Sequence, residues 1–298
     1  MHMTKYAGIV IGKIALAFIF AFLLTLVAMI PVVAVVGLTG SGDWTLDAML
    51  SDPSFTYGSM IAQAAGFMAA VPLMFVLFDR KAGWSLGWRQ RGAIKELLRG
   101  SVLGIVLISI VFVLMLAVQS VRITGVATGA AVWTELAGYL LLFALVAINE
   151  ELFSRGYVQG VIRHRFGPAA AIICSSLFFS VLHAFNPGAL ANPLPLINIF
   201  AAGLLFGISR EVTGGLWLPI GLHWTWNFVQ GNVYGFEVSG TDVESVLRLE
   251  SSGPIALSGG AFGAEGSLIA TAVIGAAAYW IWKRGRGTPD GRKIRRGE

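Results

Sequence analysis

Eight long apolar stretches, separated by more polar connections, form the main pattern of this chain. A helix needs about 20 apolar residues to cross a bilayer core that is ~30 Å thick. By this measure the stretches at 196–209 and 215–230 are short, and the ends of these two are the least defined. The pattern predicts an all-α fold, a polytopic transmembrane helical bundle of about eight spans. The predicted spans are residues 7–37, 57–78, 101–119, 136–162, 168–185, 196–209, 215–230 and 267–282.

Composition narrows the class of protein further. Of the 298 residues, 56% are hydrophobic and 12% are charged, whereas a typical soluble domain carries roughly 25% charged residues. So few charges could not cover the surface of a water-soluble fold of this size, which excludes a soluble domain. The sequence shows neither an internal repeat nor a separate soluble segment, so we expect residues 1–298 to form a single integral membrane domain.

The positions of the basic residues predict the orientation of the bundle, because Lys and Arg mark cytoplasmic loops. All but three of the 21 Lys and Arg residues fall on one side of the eight-span arrangement, the exceptions being Arg122, Arg155 and Arg248. This bias predicts that both termini face the cytoplasm (N-in, C-in), with residues 283–298 as a basic cytoplasmic tail. The acidic connection 231–266 falls outside. The net charge of +5 therefore reflects topology and contact with the lipid bilayer, and we expect no nucleic-acid partner.

Ionisable residues inside three of the spans break the apolar pattern. A charge within a membrane span costs at least ~2.5 kcal/mol on insertion scales, so such a residue is functional by default. Glu150, His183 and His223 lie on three different spans, each at a helical rise of about 20 Å from the connections on the basic side. Three ionisable groups at one depth predict one shared polar site.

Helical spacing suggests a division of roles around this site. Glu151 and Arg155 are four residues apart, in the order that favours an ion pair. Glu150 lies about 100° round the helix from Glu151, so it can face elsewhere and is left for chemistry. Two further pairs share a helix face at the same spacing of four: Phe179 with His183, and His223 with Asn227.

These residue types favour amide hydrolysis inside the membrane. A glutamate with a histidine can activate a water for attack on a carbonyl. A histidine with an asparagine can donate hydrogen bonds to the developing oxyanion. The same glutamate and two histidines could instead hold a zinc ion with water as its fourth ligand. Composition and spacing leave these alternatives open, and they do not separate a hydrolase from a proton-coupled carrier.

The three motifs resemble those of the CAAX protease and bacteriocin-processing family, also called the Abi family. Its members are intramembrane endopeptidases related to the eukaryotic prenyl-protein processing protease, the type II CAAX prenyl endopeptidase. The family pattern is E-E-x-x-x-R, then F-x-x-x-H, then H-x-x-x-N or H-x-x-x-D. This chain carries it over a motif core of about 134–230, at Glu150, Glu151 and Arg155, at Phe179 and His183, and at His223 and Asn227.

The resemblance implies an intramembrane endopeptidase in a cell membrane, as a multi-pass protein of the bacterial inner membrane. Its substrate would be a membrane protein or peptide. Glu150 would activate water with the help of His183. His223 and Asn227 would stabilise the oxyanion. The supporting residues would be Glu151, Arg155 and Phe179.

The resemblance also carries two alternatives. We favour the glutamate-dependent mechanism without a cofactor, because Asn227 suits an oxyanion better than a metal. In the alternative, zinc would be held by Glu150, His183 and His223. A second hypothesis for the function is a non-proteolytic membrane scaffold or bacteriocin-immunity factor of the same fold.

Overall fold

The computed structural model describes residues 2–39, 45, 52–127 and 129–285, and most of these are helical. The predicted basic tail falls outside the described residues from residue 286 onward. The helices are α1 His2–Thr39, α2 Pro53–Met74, α3 Ala93–Ala117, α4 Ala130–Glu151, α5 Gln159–Leu182, α6 Leu194–Thr213, α7 Trp217–Phe228, α8 Ile255–Ser258 and α9 Leu268–Gly285. Wider π-helical turns cover Phe75–Asp79, Leu152–Val158 and Val229–Val233, and the strands are β1 Val121–Val126 and β2 Leu247–Ser251.

The all-α, polytopic prediction is confirmed. Within the described part of the chain, five helical stretches are long and apolar enough to cross a membrane: Thr4–Leu38, Ser54–Asp79, Ala93–Ala117, Val132–Phe185 and Leu194–Thr213. A helix suits this setting because it satisfies its own backbone hydrogen bonds where no water is present. Helices α7, of 12 residues, and α9, of 18 residues, coincide with the last two predicted spans but do not meet that standard. The count of eight spans therefore stays a prediction.

The stretch Val132–Phe185 is 54 residues long and contains two of the predicted spans. Its helix breaks at Gly167, where φ is 80° and ψ is 174°. This conformation is natural for glycine, and the following residue, Pro168, suits the first turn of a new helix. The chain therefore reverses here, and the two motif-bearing segments on either side lie next to each other.

Connections between the helices gather at two ends of the bundle. At one end, here called the strand end, β1 pairs with β2 in antiparallel register, with Val121 opposite Ser251. The Asn186 side chain donates to the carbonyl of Ser239 there, at 3.1 Å. The all-α prediction did not include this strand pair, because its two halves are far apart in sequence and neither has a strong strand pattern.

The opposite end, here called the basic end, contains the connection 80–92 with its Lys and Arg residues. Arg163 forms an ion pair with Glu211 at 2.7 Å, and the Leu216 amide donates to the carbonyl of Gly87 at 3.1 Å. The long helical segments of the described chain therefore run in alternating directions between the two ends, with one reversal at Gly167 inside α5. That the basic end faces the cytoplasm stays a prediction.

Small residues bring α7 close to α3. A Cβ atom at Gly100 would overlap the backbone of Leu218, and one at Gly221 would overlap the carbonyl of Leu97. Backbones approach this closely only where side chains are absent, which is how many membrane helices pack. The contact fixes α7, the helix that carries the third motif, against the body of the bundle.

Candidate active site

Glu150 lies between two histidines that come from different helices. Its Oε2 atom is 3.9 Å from Nε2 of His183 and 3.9 Å from Nε2 of His223. That oxygen is buried and has no hydrogen-bond partner among the described residues. Helical rise predicts a similar depth for these three residues, and in the structure their side chains do converge.

Each histidine is anchored through its other ring nitrogen. His183 Nδ1 is 2.9 Å from the carbonyl oxygen of Phe179, and His223 Nδ1 is 3.1 Å from Oε1 of Glu151. A carbonyl or carboxylate oxygen can only accept, so Nδ1 carries the hydrogen in both rings. Both rings therefore direct Nε2 towards Glu150. The contact at Nδ1 thus sets the orientation of each ring.

Glu151 and Arg155 form the ion pair that the spacing of four predicts. Arg155 Nη1 donates to Glu151 Oε1 at 3.0 Å, and both side chains are 0% exposed. The Arg155 guanidinium carbon lies 4.1 Å from the centroid of the Phe179 ring and 5.0 Å from that of Phe206. The two rings are nearly perpendicular, at 81°, so they contact the cation on two adjacent sides, and cation–π attraction is strongest where water is excluded.

The helices change geometry within one motif and directly after another. The π-helical turn Leu152–Val158 follows Glu151 and contains Arg155. A second π-helical turn, Val229–Val233, begins two residues after Asn227. Such wide turns are rare and concentrate at functional sites, because they re-aim side chains without breaking the helix.

A small cavity lies against the histidines. Its room for the centre of a water molecule is about 20 Å³, enough for a water. The walls include Phe179, His183, His223 and Asn227, and Asn227 is buried. All seven residues singled out in the sequence are therefore brought together, six by direct contact and Asn227 by facing the same cavity.

Three further residues shape this site without a motif of their own. Phe206, on α6, stacks on the ring of His223 with centroids 4.9 Å apart and planes at 18°. Glu265 lines the cavity from the strand end, and its Oε2 accepts from the amide and the hydroxyl of Ser239 at 2.9 and 2.8 Å. Asn198 holds that segment by donating to the carbonyl of Glu265 at 2.6 Å.

Sequence reasoning places Glu265 in the acidic outer connection, whereas the structure buries it. The available signal is its position inside the glycine-rich stretch 259–266. Such a stretch lets a backbone pack tightly enough to bury a polar side chain. Phe206 offered no comparable signal, because one phenylalanine in an apolar helix is unremarkable.

Glu150, His183 and His223, the residues of the zinc alternative, are of types that bind zinc, but they are not arranged as a set of metal ligands. A carboxylate and two imidazoles with an open fourth position form a set that catalytic zinc uses. Within the described ranges, however, no group of three His, Cys, Asp or Glu side chains is arranged to hold a metal ion.

Residues 132–229 match the family model described as Rce1-like, type II CAAX prenyl endopeptidase Rce1-like. The resemblance predicted from the three motifs is confirmed over this segment, which contains all seven motif residues. The chain is also 34% identical over 87 residues to an uncharacterized 24.3 kDa protein of Escherichia coli. That match covers 28% of this chain and 38% of the relative, so the chain spans less than half the length of this curated protein.

Proposed function

We propose that this protein is an intramembrane endopeptidase that hydrolyses a peptide bond in a membrane-associated protein or peptide. The observation that carries the proposal is the convergence of Glu150 on Nε2 of both His183 and His223, at 3.9 Å each. The Rce1-like match over residues 132–229 supports the same class of reaction.

Glu150 is the general base in this proposal. A water between Glu150 and His183 gives a proton to the carboxylate while its oxygen bonds to the substrate carbonyl carbon. His183 orients that water by accepting its second hydrogen at Nε2, because Nδ1 is occupied by the Phe179 carbonyl. The side chain of Glu150 is 29% exposed, so water can reach it while Oε2 stays buried.

Asn227 and His223 stabilise the oxyanion that this attack creates. Asn227 donates through its side-chain amide, and His223 enters the cycle as an imidazolium that donates through Nε2 and keeps its proton throughout. This imidazolium faces the carboxylate of Glu151 at Nδ1, 3.1 Å away, which balances its charge. Donors held in place before the reaction act strongly in a site that excludes water.

The intermediate then collapses with breakage of the C–N bond. The proton held by Glu150 passes to the departing amine, and the products are a new carboxyl terminus and a new amino terminus. Glu150 returns to its carboxylate form, so the residues are unchanged after one turnover. Hydrolysis consumes one water and needs no other reactant.

Glu151, Arg155 and Phe179 are positioning residues rather than reacting groups. Glu151 accepts from His223 and from Arg155 through the same oxygen, Oε1. Arg155 in turn is held against the Phe179 ring. This chain of contacts fixes the ring of His223 relative to Glu150, and a shift of about 1 Å in such an arrangement can cost ~10²-fold in rate.

A comparison of new protein termini tests the proposal directly. Membranes from cells that produce the wild-type protein or the Glu150→Gln variant, at equal levels, are analysed by amino-terminal proteomics. We expect a set of membrane-associated cleavage products that is present with wild type and absent with the variant. Identical termini in both samples, together with full biological activity of the variant, would instead support the scaffold or immunity hypothesis.

A further inference from the structure

A cleft of about 1200 Å³ opens at the basic end between the first turns of α3 and the last turns of α9. Its floor includes Val212 and Leu218, from α6 and α7. The cleft lies away from the candidate active site and shares no residue with it. Nothing in the proposed protease mechanism uses it.

The cleft exists because its two walls are held by different helices. Gly100 on α3 sits against the backbone of Leu218, and Gly285 on α9 sits against the side chain of Val212. Further from this end, α3 and α9 share one hydrophobic cluster that contains Ile108 and Ile274. The walls therefore diverge only at the basic end, where the cleft is open.

Cations dominate the rim of the cleft. Lys95, Arg99 and Arg284 line it, and Glu96 is the acidic residue among its lining side chains. Glu96 pairs with Arg99 at 2.7 Å. No ion pair within the described ranges involves Lys95 or Arg284. The Arg284 guanidinium carbon lies 4.3 Å from the centroid of the Trp280 ring. The rim is therefore positive, and one of its cations is held in place by an aromatic face.

Apolar side chains continue from this rim towards the middle of the bundle. Ile94, Leu98 and Val102 form one face of α3 at spacings of four residues, and each is more than half exposed. Together they extend about 12 Å along the helix. Trp280 on the opposite wall is also exposed, and tryptophan is enriched at the level of lipid headgroups.

We propose that this cleft, lined by Lys95, Leu98, Val102, Trp280 and Arg284, binds one anionic phospholipid. Lys95 and Arg284 contact the phosphate, and a hydrocarbon chain lies along Leu98 and Val102. A soluble anion would leave the apolar wall in contact with water, and a zwitterionic lipid would leave the positive rim without net countercharge. An amphiphile with an anionic headgroup satisfies both parts of the cleft, as basic pockets between membrane helices do elsewhere.

The charge of the chain's own carboxyl-terminal segment makes it a less suitable occupant of the cleft than an anionic lipid. Residues 286–298 follow directly after Gly285 and contain Arg286, Arg292, Lys293, Arg295 and Arg296 against Asp290 and Glu298. A segment of this net charge is repelled by a positive rim. The same residues would instead attract anionic lipids to this end of the bundle.

Lipid binding by the full-length protein tests the proposal. The purified protein is titrated with phosphatidylglycerol or with phosphatidylcholine of identical acyl chains, and bound lipid is counted by native mass spectrometry. We expect one phosphatidylglycerol to bind in preference to phosphatidylcholine. The double variant Lys95→Gln/Arg284→Gln should weaken this binding by roughly 10–30-fold, since each cation near a lipid phosphate contributes on the order of a few-fold to tenfold.

Matched variants separate the cleft from general surface charge. Arg89→Gln/Arg91→Gln removes two exposed cations at the same end that do not line the cleft, and it should leave the tightly bound lipid in place. The conservative Lys95→Arg/Arg284→Lys should also retain it, which shows that loss in the glutamine variant is not misfolding.

Three results would overturn the proposal. The first is equal binding of the two lipids, and the second is equal loss of binding in the two glutamine double variants. The third is displacement of the lipid by free glycerol 3-phosphate, because a site for a soluble phosphate does not need the apolar wall.

Discussion

Two arginine–glutamate ion pairs in this protein have similar geometry and very different surroundings. Arg155 and Glu151 are 3.0 Å apart, and both side chains are 0% exposed. Arg122 on β1 and Glu250 on β2 are 3.3 Å apart, and their side chains are 64% and 60% exposed. The first pair lies beside His223 in the candidate active site, whereas the second lies on the strand pair outside the bundle.

The difference shows that the surroundings of an ion pair decide how much it contributes to stability. Water screens the Arg122–Glu250 pair, and exposed pairs of this kind contribute ~0–1 kcal/mol. At the buried pair there is no water to replace a lost partner, so each charge depends on the other. Glu151 also accepts from His223, which makes the buried pair part of the site's positioning and the exposed pair a surface contact.

The largest expected effect is on the rate of hydrolysis. It comes from Glu150, the carboxylate that takes no part in the buried ion pair. Glu150→Gln removes the general base but keeps the shape of the side chain, so hydrolysis of a substrate found by terminal proteomics should fall by roughly 10²–10⁴-fold. Thermal unfolding in detergent should change little. Normal cleavage by this variant would show that Glu150 is not the base.

The next effect is on stability. Arg155→Ala leaves Glu151 as an uncompensated buried charge and should destabilise the protein by about 3–5 kcal/mol. The expected observation is a large drop in the unfolding temperature and in the yield of folded protein. Adding Glu151→Gln to this variant removes the stranded charge, so the double variant should recover part of the loss. No change with Arg155→Ala would mean that the buried pair is no more important than the exposed one.

Asn227→Ala tests the oxyanion role and separates it from the zinc alternative. Loss of one oxyanion donor typically lowers the rate by ~10²–10³-fold, and we expect this loss with an unchanged metal content. We also predict substoichiometric zinc in the purified protein and activity that survives a chelator.

The opposite pattern would favour zinc. Asparagine is a poor zinc ligand, so a small rate loss for Asn227→Ala would fit a metal site. Stoichiometric zinc that disappears with His183→Ala, together with chelator-sensitive cleavage, would replace the metal-free mechanism and leave the protease assignment intact.

The smallest effect is expected at the exposed pair. Arg122→Ala should change the free energy of unfolding by less than ~1 kcal/mol and should not change the rate of hydrolysis. It is the matched control for Arg155→Ala, since each variant removes the arginine of one arginine–glutamate ion pair. A loss as large as that of Arg155→Ala would show that the strand pair carries more of the stability than its exposure suggests.

The sequence by itself determined the helical class and much of the candidate site. Long apolar stretches allow one solution in a membrane, because helices satisfy their own backbone there. The Glu151–Arg155 pair follows from spacing within one helix, since residues four apart share a face. The common depth of Glu150, His183 and His223 follows from counting helical rise, which needs no tertiary information.

Only the tertiary structure decided which residues outside the motifs complete the site. Phe206 stacks on His223 and faces Arg155 from a helix that carries no motif. Glu265 turns inward from a loop that its acidic neighbours mark as exposed, because Ser239 and Asn198 hold its segment. These contacts join elements that are distant in sequence, and no local periodicity records them.

The strand pair and the cleft at the basic end also depend on the tertiary structure. β1 and β2 meet because α3 and α7 both terminate at the strand end of the bundle. Residues such as Arg122 and Glu250, which are 128 positions apart in the sequence, come into contact there. The cleft forms because Gly100 and Gly285 hold their helices to different neighbours. A sequence specifies each helix through short-range spacing, whereas the angles between helices depend on which small residues meet across the bundle, and only folding decides that.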